Sequence, residues 1–343
     1  MKKTTFKLLI CPDCKKSVLK LQIDKEQGEH IINGTITCIN CNEKYLIRNG
    51  VAALLPKELG KLVKKTKQSF SSQWERQKQQ GKSYNDLKTW GFSLNERKKL
   101  FLNQIAINQV KLKNKLILDA GCGNGTVSLA MASYNMDVIA MDISDSVFYF
   151  NHLITNPNID LIQGSVLDPP FKDGIFDFIY SSGVLHHTPR PRDAFIQLTN
   201  KLKKGGRFWV WLYVKISLQK TRNWIYENKL KLYLYEFLNK IISRLPKILQ
   251  DLVLLSFIPV FILKQEIEIL LRLKKFGDDP YRMKKENWQD KLVILYDNFA
   301  HPYNFRYDPK HIINNWVSKL GYKNVKLNYT LEKGGFGIYG DKS

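Results

Sequence analysis

At 343 residues, with 44% hydrophobic and 25% charged side chains, the chain can bury a large core in two or three domains, which excludes an intrinsically disordered protein. Its formal net charge of +23 suits an anionic partner (an RNA, an acidic membrane or a phosphorylated substrate) and equally a plain solvated surface. The longest apolar run, Leu252 to Leu263, contains Pro259 and falls short of the ~18–20 residues that span a bilayer, so a cytoplasmic protein is expected.

Two cysteine knuckles open the chain, Cys11-Pro12-Asp13-Cys14 and Cys38-Ile39-Asn40-Cys41. Each supplies two thiolates from one tight turn, and four thiolates close a tetrahedral site, so Cys11, Cys14, Cys38 and Cys41 are expected to hold a structural zinc with no open position. Disulfides compete, but a reducing compartment disfavours them. This segment, with Tyr45 to Val51, resembles the small zinc-ribbon domain that activates some tRNA and translation-factor methyltransferases, here fused in cis. Residues 1–56 are read as that domain, able to unfold without disturbing the remainder. Cys122, the fifth cysteine, is expected to pack rather than react.

Residues 57–115 read as a basic helical linker and N-terminal cap, with 14 Lys and Arg against 3 Asp and Glu over 61–115. Ser93-Leu94-Asn95-Glu96 is a capping box that predicts a helix through Ile107. Leu116 to Leu118 then reads as a parallel strand covered on both faces, ending at Asp119. Gly121, Gly123 and Gly125 let the backbone turn sharply and approach a ligand at the N-terminus of a helix over 126–134. Asp142 closes the next strand, where a carboxylate can take both hydroxyls of a ribose.

A dinucleotide site competes, yet Thr126 stands at its third glycine position and Asp119 sits badly beside a pyrophosphate. The run D-x-G-x-G-x-G from Asp119 to Gly125 resembles motif I of class I S-adenosylmethionine (SAM) dependent methyltransferases. The resemblance continues through Pro170-Phe171-Lys172-Asp173-Gly174-Ile175-Phe176-Asp177-Phe178-Ile179 and Gly183-Val184-Leu185-His186-His187-Thr188-Pro189, in the manner of the small-molecule branch of that family. It implies an α/β fold, a doubly wound seven-stranded Rossmann-like sheet. The remaining strands are expected at Ile159–Gln163, Ile175–Ser181, Arg207–Tyr213 after a turn at 204–206, Val325–Tyr329 and Phe336–Tyr339. Asp308 and Pro309 start a helix that stops at Gly321. The core is placed at 116–213 and 301–343. Residues 214–300 form a helical lid insertion whose apolar run is either lid core or a surface that meets lipid, giving peripheral contact at the membrane.

The resemblance implies that Asp119 holds the amino group of SAM and Asp142 its ribose, with Gly121, Gly123, Gly125, Ile143, Ser165, Val166 and Ser182 around the cofactor. Ser165 replaces an acid usual in the family. Phe70 and Trp74 resemble an F-x-x-x-W element and are expected to pack over the cofactor. His186 is the expected general base, beside His187; Asp297 and His301 are expected to enter from beyond the lid. Arg190 hints at an anionic acceptor. Asp168-Pro169-Pro170-Phe171 spells the motif of amino-methyltransferases but precedes the fourth core strand instead of following it. The expected enzyme therefore methylates a hydroxyl of a small or carrier-linked molecule, such as a sugar, a glycan intermediate or a quinone precursor. The alternative is an rRNA or tRNA methyltransferase that binds RNA through the ribbon and basic linker. RNA is the less favoured partner because no histidine-bearing knuckle follows Cys41.

Overall fold

The computed structural model describes residues 1–78, 92–153, 156–215, 229–270, 288–328 and 334–343. A short helix α1 (Lys3–Phe6) and strands β1 (Leu19–Gln27), β2 (His30–Cys38), β3 (Lys44–Arg48) and β4 (Val51–Leu54) build the ribbon as an antiparallel meander. β3 shows why: Tyr45 and Ile47 are buried while Lys44, Leu46 and Arg48 face water, the alternation of a half-buried strand. Helices α2 (Lys61–Lys78) and α3 (Leu94–Ile105) follow. The capping box forms as expected, the Glu96 carboxylate accepting the Ser93 N–H at 2.7 Å, and α3 ends at Ala106 in the left-handed region.

The core then runs β5 (Leu116–Ala120), α4 (Thr126–Ala132), β6 (Asp137–Asp142), α5 (Ser146–Tyr149), β7 (Ile159–Gly164), β8 (Phe176–Ser182), α6 (Pro191–Asn200) and β9 (Leu202–Tyr213). The insertion contributes α7 (Lys229–Ile242), α8 (Lys247–Leu270) and α9 (Trp288–Phe299). Helix α10 (Pro309–Ile312), capped by Asp308, widens to π geometry over Ile313–Val317, tightens over Ser318–Leu320 and stops at left-handed Gly321. Strands β10 (Lys323–Asn328) and β11 (Gly335–Asp341) complete the sheet; Tyr329, the expected last residue of β10, lies outside the described residues. The expected turn at 204–206 lies instead within β9, where Gly205 takes φ +72° and the register against β8 slips.

The seven core strands lie in the order β7-β6-β5-β8-β9-β11-β10, with β11 antiparallel to β9. The chain reverses direction across the sheet between β5 and β8, which opens a crevice at their carboxyl ends, the place where doubly wound sheets bind ligands. Four further strands extend the same sheet. β4 pairs in parallel with β7, Ala52 opposite Ile162 and Leu54 opposite Gly164, giving 11 continuous strands. The ribbon is thus hydrogen-bonded into the core sheet, and its buried Ile36, Ile47 and Leu54 share a hydrophobic cluster with Ile162, Phe171 and Val210. The loop after β7 is where it docks: Lys15 pairs with Asp168 at 2.6 Å, Ile10 N–H donates to the Pro170 carbonyl at 3.0 Å and Lys172 N–H to that of Leu8 at 2.9 Å. The D-P-P-F run is therefore a docking loop beyond β7, and its acid is engaged by the ribbon.

The insertion expected to serve as a lid has its own core of Ile242, Leu254, Ile258, Leu292, Leu295 and Tyr296. Its outer face exposes Leu234, Phe237 and Ile241 on α7 and Ile248, Leu252 and Leu263 on α8. Among the described residues no helix is long and apolar enough to cross a membrane. α2 ties the lid to the core: Arg76 pairs with Asp251 at 2.7 Å, Lys65 donates to the Leu245 carbonyl at 3.1 Å, and Lys67 pairs with Asp145 at 2.5 Å.

Candidate active site

β5 and β6 bring the two expected acids to one edge of the crevice. Asp119, next to last in β5, is buried and accepts a hydrogen bond from Ser128 Oγ at 2.6 Å. Asp142, last in β6, accepts the Gly123 N–H at 2.9 Å on one oxygen and the Ser144 N–H and hydroxyl at 2.8 and 2.6 Å on the other. The carboxylate expected on a ribose thus also fixes the glycine turn. Gly121 and Gly123 take φ of +92° and +54°. A Cβ on Gly121 would strike Val184, and one on Gly123 would lie 2.5 Å from the Trp74 indole, so the turn must stay bare. Gly125 caps α4.

Burial raises the pKa of both acids. For Asp119 it outweighs the opposing Ser128 bond and, with the Asp142 charge, lifts the carboxyl to about 7. For Asp142 the bonds from Ser144 and Gly123 oppose the rise. Two desolvated acids beside bare backbone form a donor set suited to a ligand with a cationic amino end and vicinal hydroxyls. The remaining expected cofactor residues flank it. Ile143 and the buried Val166 lie just past β6 and β7, Ser165 accepts the Leu167 N–H at 3.2 Å, and Ser182 ends β8.

The four expected catalytic residues, drawn from both sides of the lid, do come together. His186 and His187 have ring centroids 4.3 Å apart, His187 and His301 4.9 Å, and His187 Nε2 lies 3.8 Å from an Asp297 oxygen. All three rings are buried. His187 Nδ1 lies 2.8 Å from the Tyr303 carbonyl, so its N–H holds the loop, and His301 Nε2 lies 3.1 Å from Gln73 Oε1. Among the described residues, both nitrogens of His186, Nε2 of His187 and Nδ1 of His301 find no hydrogen-bond partner. Burial pushes His186 and His301 well below the usual histidine range and His187 to about 4, so all three are neutral bases at pH 7. Burial likewise lifts Asp297 to about 6 against the Tyr213 hydroxyl that bonds it.

α2 links the two halves of the site. Phe70 stacks on His301 at 3.7 Å, and one turn on Trp74 packs against Phe150 and the glycine turn. Sequence reasoning missed Tyr213, Tyr235, Gln73 and Arg306. Tyr213 ends β9 at the carboxyl edge, a signal that could have flagged it; Arg306, whose guanidinium lies over the Tyr213 ring, had none, since its position depends on how 305–307 bond to the turn carrying His186 and to the end of β9. Arg190 stands apart, 67% exposed and paired with Asp193 at 3.5 Å, so it gives no support to an anionic acceptor.

In the ribbon, the Sγ atoms of Cys11, Cys14, Cys38 and Cys41 all lie within 4.8 Å of one another. Two of the separations are 3.6 and 3.5 Å, close to the ~3.8 Å edge of a tetrahedron with ~2.3 Å metal–sulfur bonds. All five cysteines are free thiols, so the pairing alternative does not occur; Cys122 is buried, and burial raises its thiol pKa. The donor set fits one closed zinc site.

Residues 118–210 match the family model for a methyltransferase domain, and residues 2–50 that for a Trm112p-like protein. Over 102 residues the chain is 34% identical to the tRNA U34 carboxymethyltransferase of Cellvibrio japonicus (strain Ueda107), covering 28% of this chain and 32% of that protein. It is 32% identical over 93 residues to the demethylmenaquinone methyltransferase of Clavibacter sepedonicus, covering 26% and 38%. A solved complex containing the Haloferax volcanii Trm112 methyltransferase activator is 17% identical, with a TM-score of 0.35 over 44% of this chain and 61% of that one. The chain spans about a third of the length of the first two curated relatives it matches.

Proposed function

We propose, of a chain that joins a methyltransferase domain to a Trm112p-like domain, that it binds SAM at the glycine turn and methylates an acceptor seated against the histidine cluster. One observation carries this reading: four ring nitrogens without hydrogen-bond partners among the described residues are buried in one cluster, and Phe70 against that cluster and Trp74 against the glycine turn stand one turn apart on α2. An unsatisfied buried polar group costs ~1–3 kcal/mol, so such a cluster is suited to a polar ligand. SAM, when bound, supplies a methyl on a sulfonium that departs as a neutral thioether. Asp119 would hold the amino group and Asp142 the ribose, while Phe70 and Trp74 exclude water. His186 would accept the acceptor's proton, and the surrounding cluster would align the nucleophile, an effect worth up to ~7–11 kcal/mol. One zinc would sit in the four-thiolate cluster and brace the ribbon.

For the acceptor, RNA is the better supported class, which reverses the order of preference drawn from the sequence. The Trm112p-like match and the likeness to a protein named for tRNA U34 both favour it. A small-molecule hydroxyl stays as the second reading, favoured by the burial of the histidine cluster and by the likeness to a demethylmenaquinone methyltransferase. Tritiated SAM offered with total tRNA, rRNA and a small-molecule extract separates the two. Label in RNA is expected; label only in the small-molecule fraction supports the second reading, and failure to bind SAM removes both.

A further inference from the structure

Arg306 lies beside the histidine cluster, where its charge acts on His186, His187 and the Asp297 carboxyl without a direct ion pair. Phe305 N–H donates to the His186 carbonyl at 3.0 Å and Tyr307 N–H to that of Tyr213 at 2.8 Å, so the backbone on either side of Arg306 is pinned to the turn at 185–187 and to the end of β9. Its guanidinium carbon lies 4.9 Å from the Tyr213 ring centroid and 5.3 Å from that of Tyr235, and Nη2 reaches the Tyr235 hydroxyl at 3.3 Å. Among the described residues no carboxylate comes within ion-pair distance of it. Asp297, the acid of the cluster, instead receives the Tyr213 hydroxyl and faces His187. Other arginines are matched: Arg76 has Asp251 at 2.7 Å and Arg207 has Asp341 at 2.6 Å.

A guanidinium carries five donors in a rigid fork shaped for a carboxylate or phosphate. Here one long hydrogen bond occupies that fork, two aromatic faces flank it, and the adjacent His186 ring has no partner. We propose that Arg306, with Tyr213 and Tyr235 beside it, is the seat for an anionic group, a phosphate or a carboxylate, on the methyl acceptor. The proposal rests on the methyltransferase reading, because it takes the histidine cluster for the acceptor site.

Calorimetry on the full chain, saturated with S-adenosylhomocysteine, tests it with three probes: inorganic phosphate, sodium acetate and the dinucleotide UpU. Wild type should bind at least one probe at a single defined site. R306M should lose at least tenfold in that affinity. R306K keeps a point charge without the fork, should lose less, and carries the test if R306M does not fold. Strongest binding of UpU assigns the anion to an RNA backbone, of phosphate to a phosphorylated acceptor, and of acetate to a carboxylate. Equal binding by wild type and both variants would place the anion elsewhere on the basic surface and overturn the proposal, as would a wild type that binds none of the probes. Titrating S-adenosylhomocysteine into ligand-free wild type and variants keeps the premise separate: its failure in wild type sinks the methyltransferase reading, whereas normal cofactor binding without an Arg306 effect sinks only the seat.

Discussion

Asp119 should make cofactor affinity rise with pH across a range where few binding sites respond. Its carboxyl, at about 7 in the empty site, is mostly protonated in weak acid, and a protonated acid cannot pair with the amino group of the ligand. From that value about 3% is ionised at pH 5.5 and about three quarters at pH 7.5, so binding of S-adenosylhomocysteine should strengthen about 25-fold, or about 2 kcal/mol, over those two units. The sign for the empty protein is opposite. A carboxyl whose folded pKa lies above its unfolded value holds a proton that the unfolded chain has released, so stability falls as pH rises from about 4 to about 7. Ligand binding reverses that loss by restoring the charged form. Calorimetry at both pH values, in buffers of different ionisation enthalpy, should show proton release on binding at pH 5.5. Asp119→Asn should bind weakly with a flat profile. An affinity that does not change with pH in wild type, or the same slope in the variant, would refute the assignment.

Three further outcomes are expected. His186→Ala should lower turnover at least a hundredfold with cofactor affinity nearly unchanged, read by tritium transfer and calorimetry; an equal loss of cofactor binding would recast His186 as a support for the loop. Gly123→Ala forces a side chain into a left-handed residue 2.5 Å from Trp74, so cofactor affinity should drop at least tenfold and the tryptophan emission should shift; unchanged emission would show that the indole does not rest on the turn. Cys14→Ser or chelation removes on the order of 10 kcal/mol of metal-linked folding energy. Because β4 is paired with β7, the whole chain should melt earlier in differential scanning calorimetry, and a core transition left at its original temperature would contradict that coupling.

The parallel strands were legible because β5 to β8 are buried on both faces and so read as apolar runs broken by turn residues. The acids and glycines were legible for a related reason, since only a bare backbone and a strand-end carboxylate serve that turn. The union of ribbon and core was not. Strand pairing is made by backbone groups that every residue carries, and nothing in Val51 to Leu54 names Ile162 to Gly164 as partner. His186, His187, Asp297 and His301 could be listed from position. Their buried environment could not, because it depends on α2 bringing Phe70 and Gln73 against His301. Arg306 was invisible for a similar reason, since tertiary bonds of Phe305 and Tyr307 place it beside Tyr213.

The pairing of β4 with β7 within one polypeptide also changes the arithmetic of association. When two separate chains join strand to strand, dilution pulls them apart. Here the tether holds the two edges at an effective concentration on the order of millimolar, whatever the amount of protein in solution. The joint should therefore survive at nanomolar enzyme, where a two-subunit assembly would fall into halves, and each core carries one ribbon by construction. Loss of a zinc held by the four thiolates would then be one way to release the ribbon, and it would leave the backbone of β7 as an open sheet edge, a template for pairing with other chains.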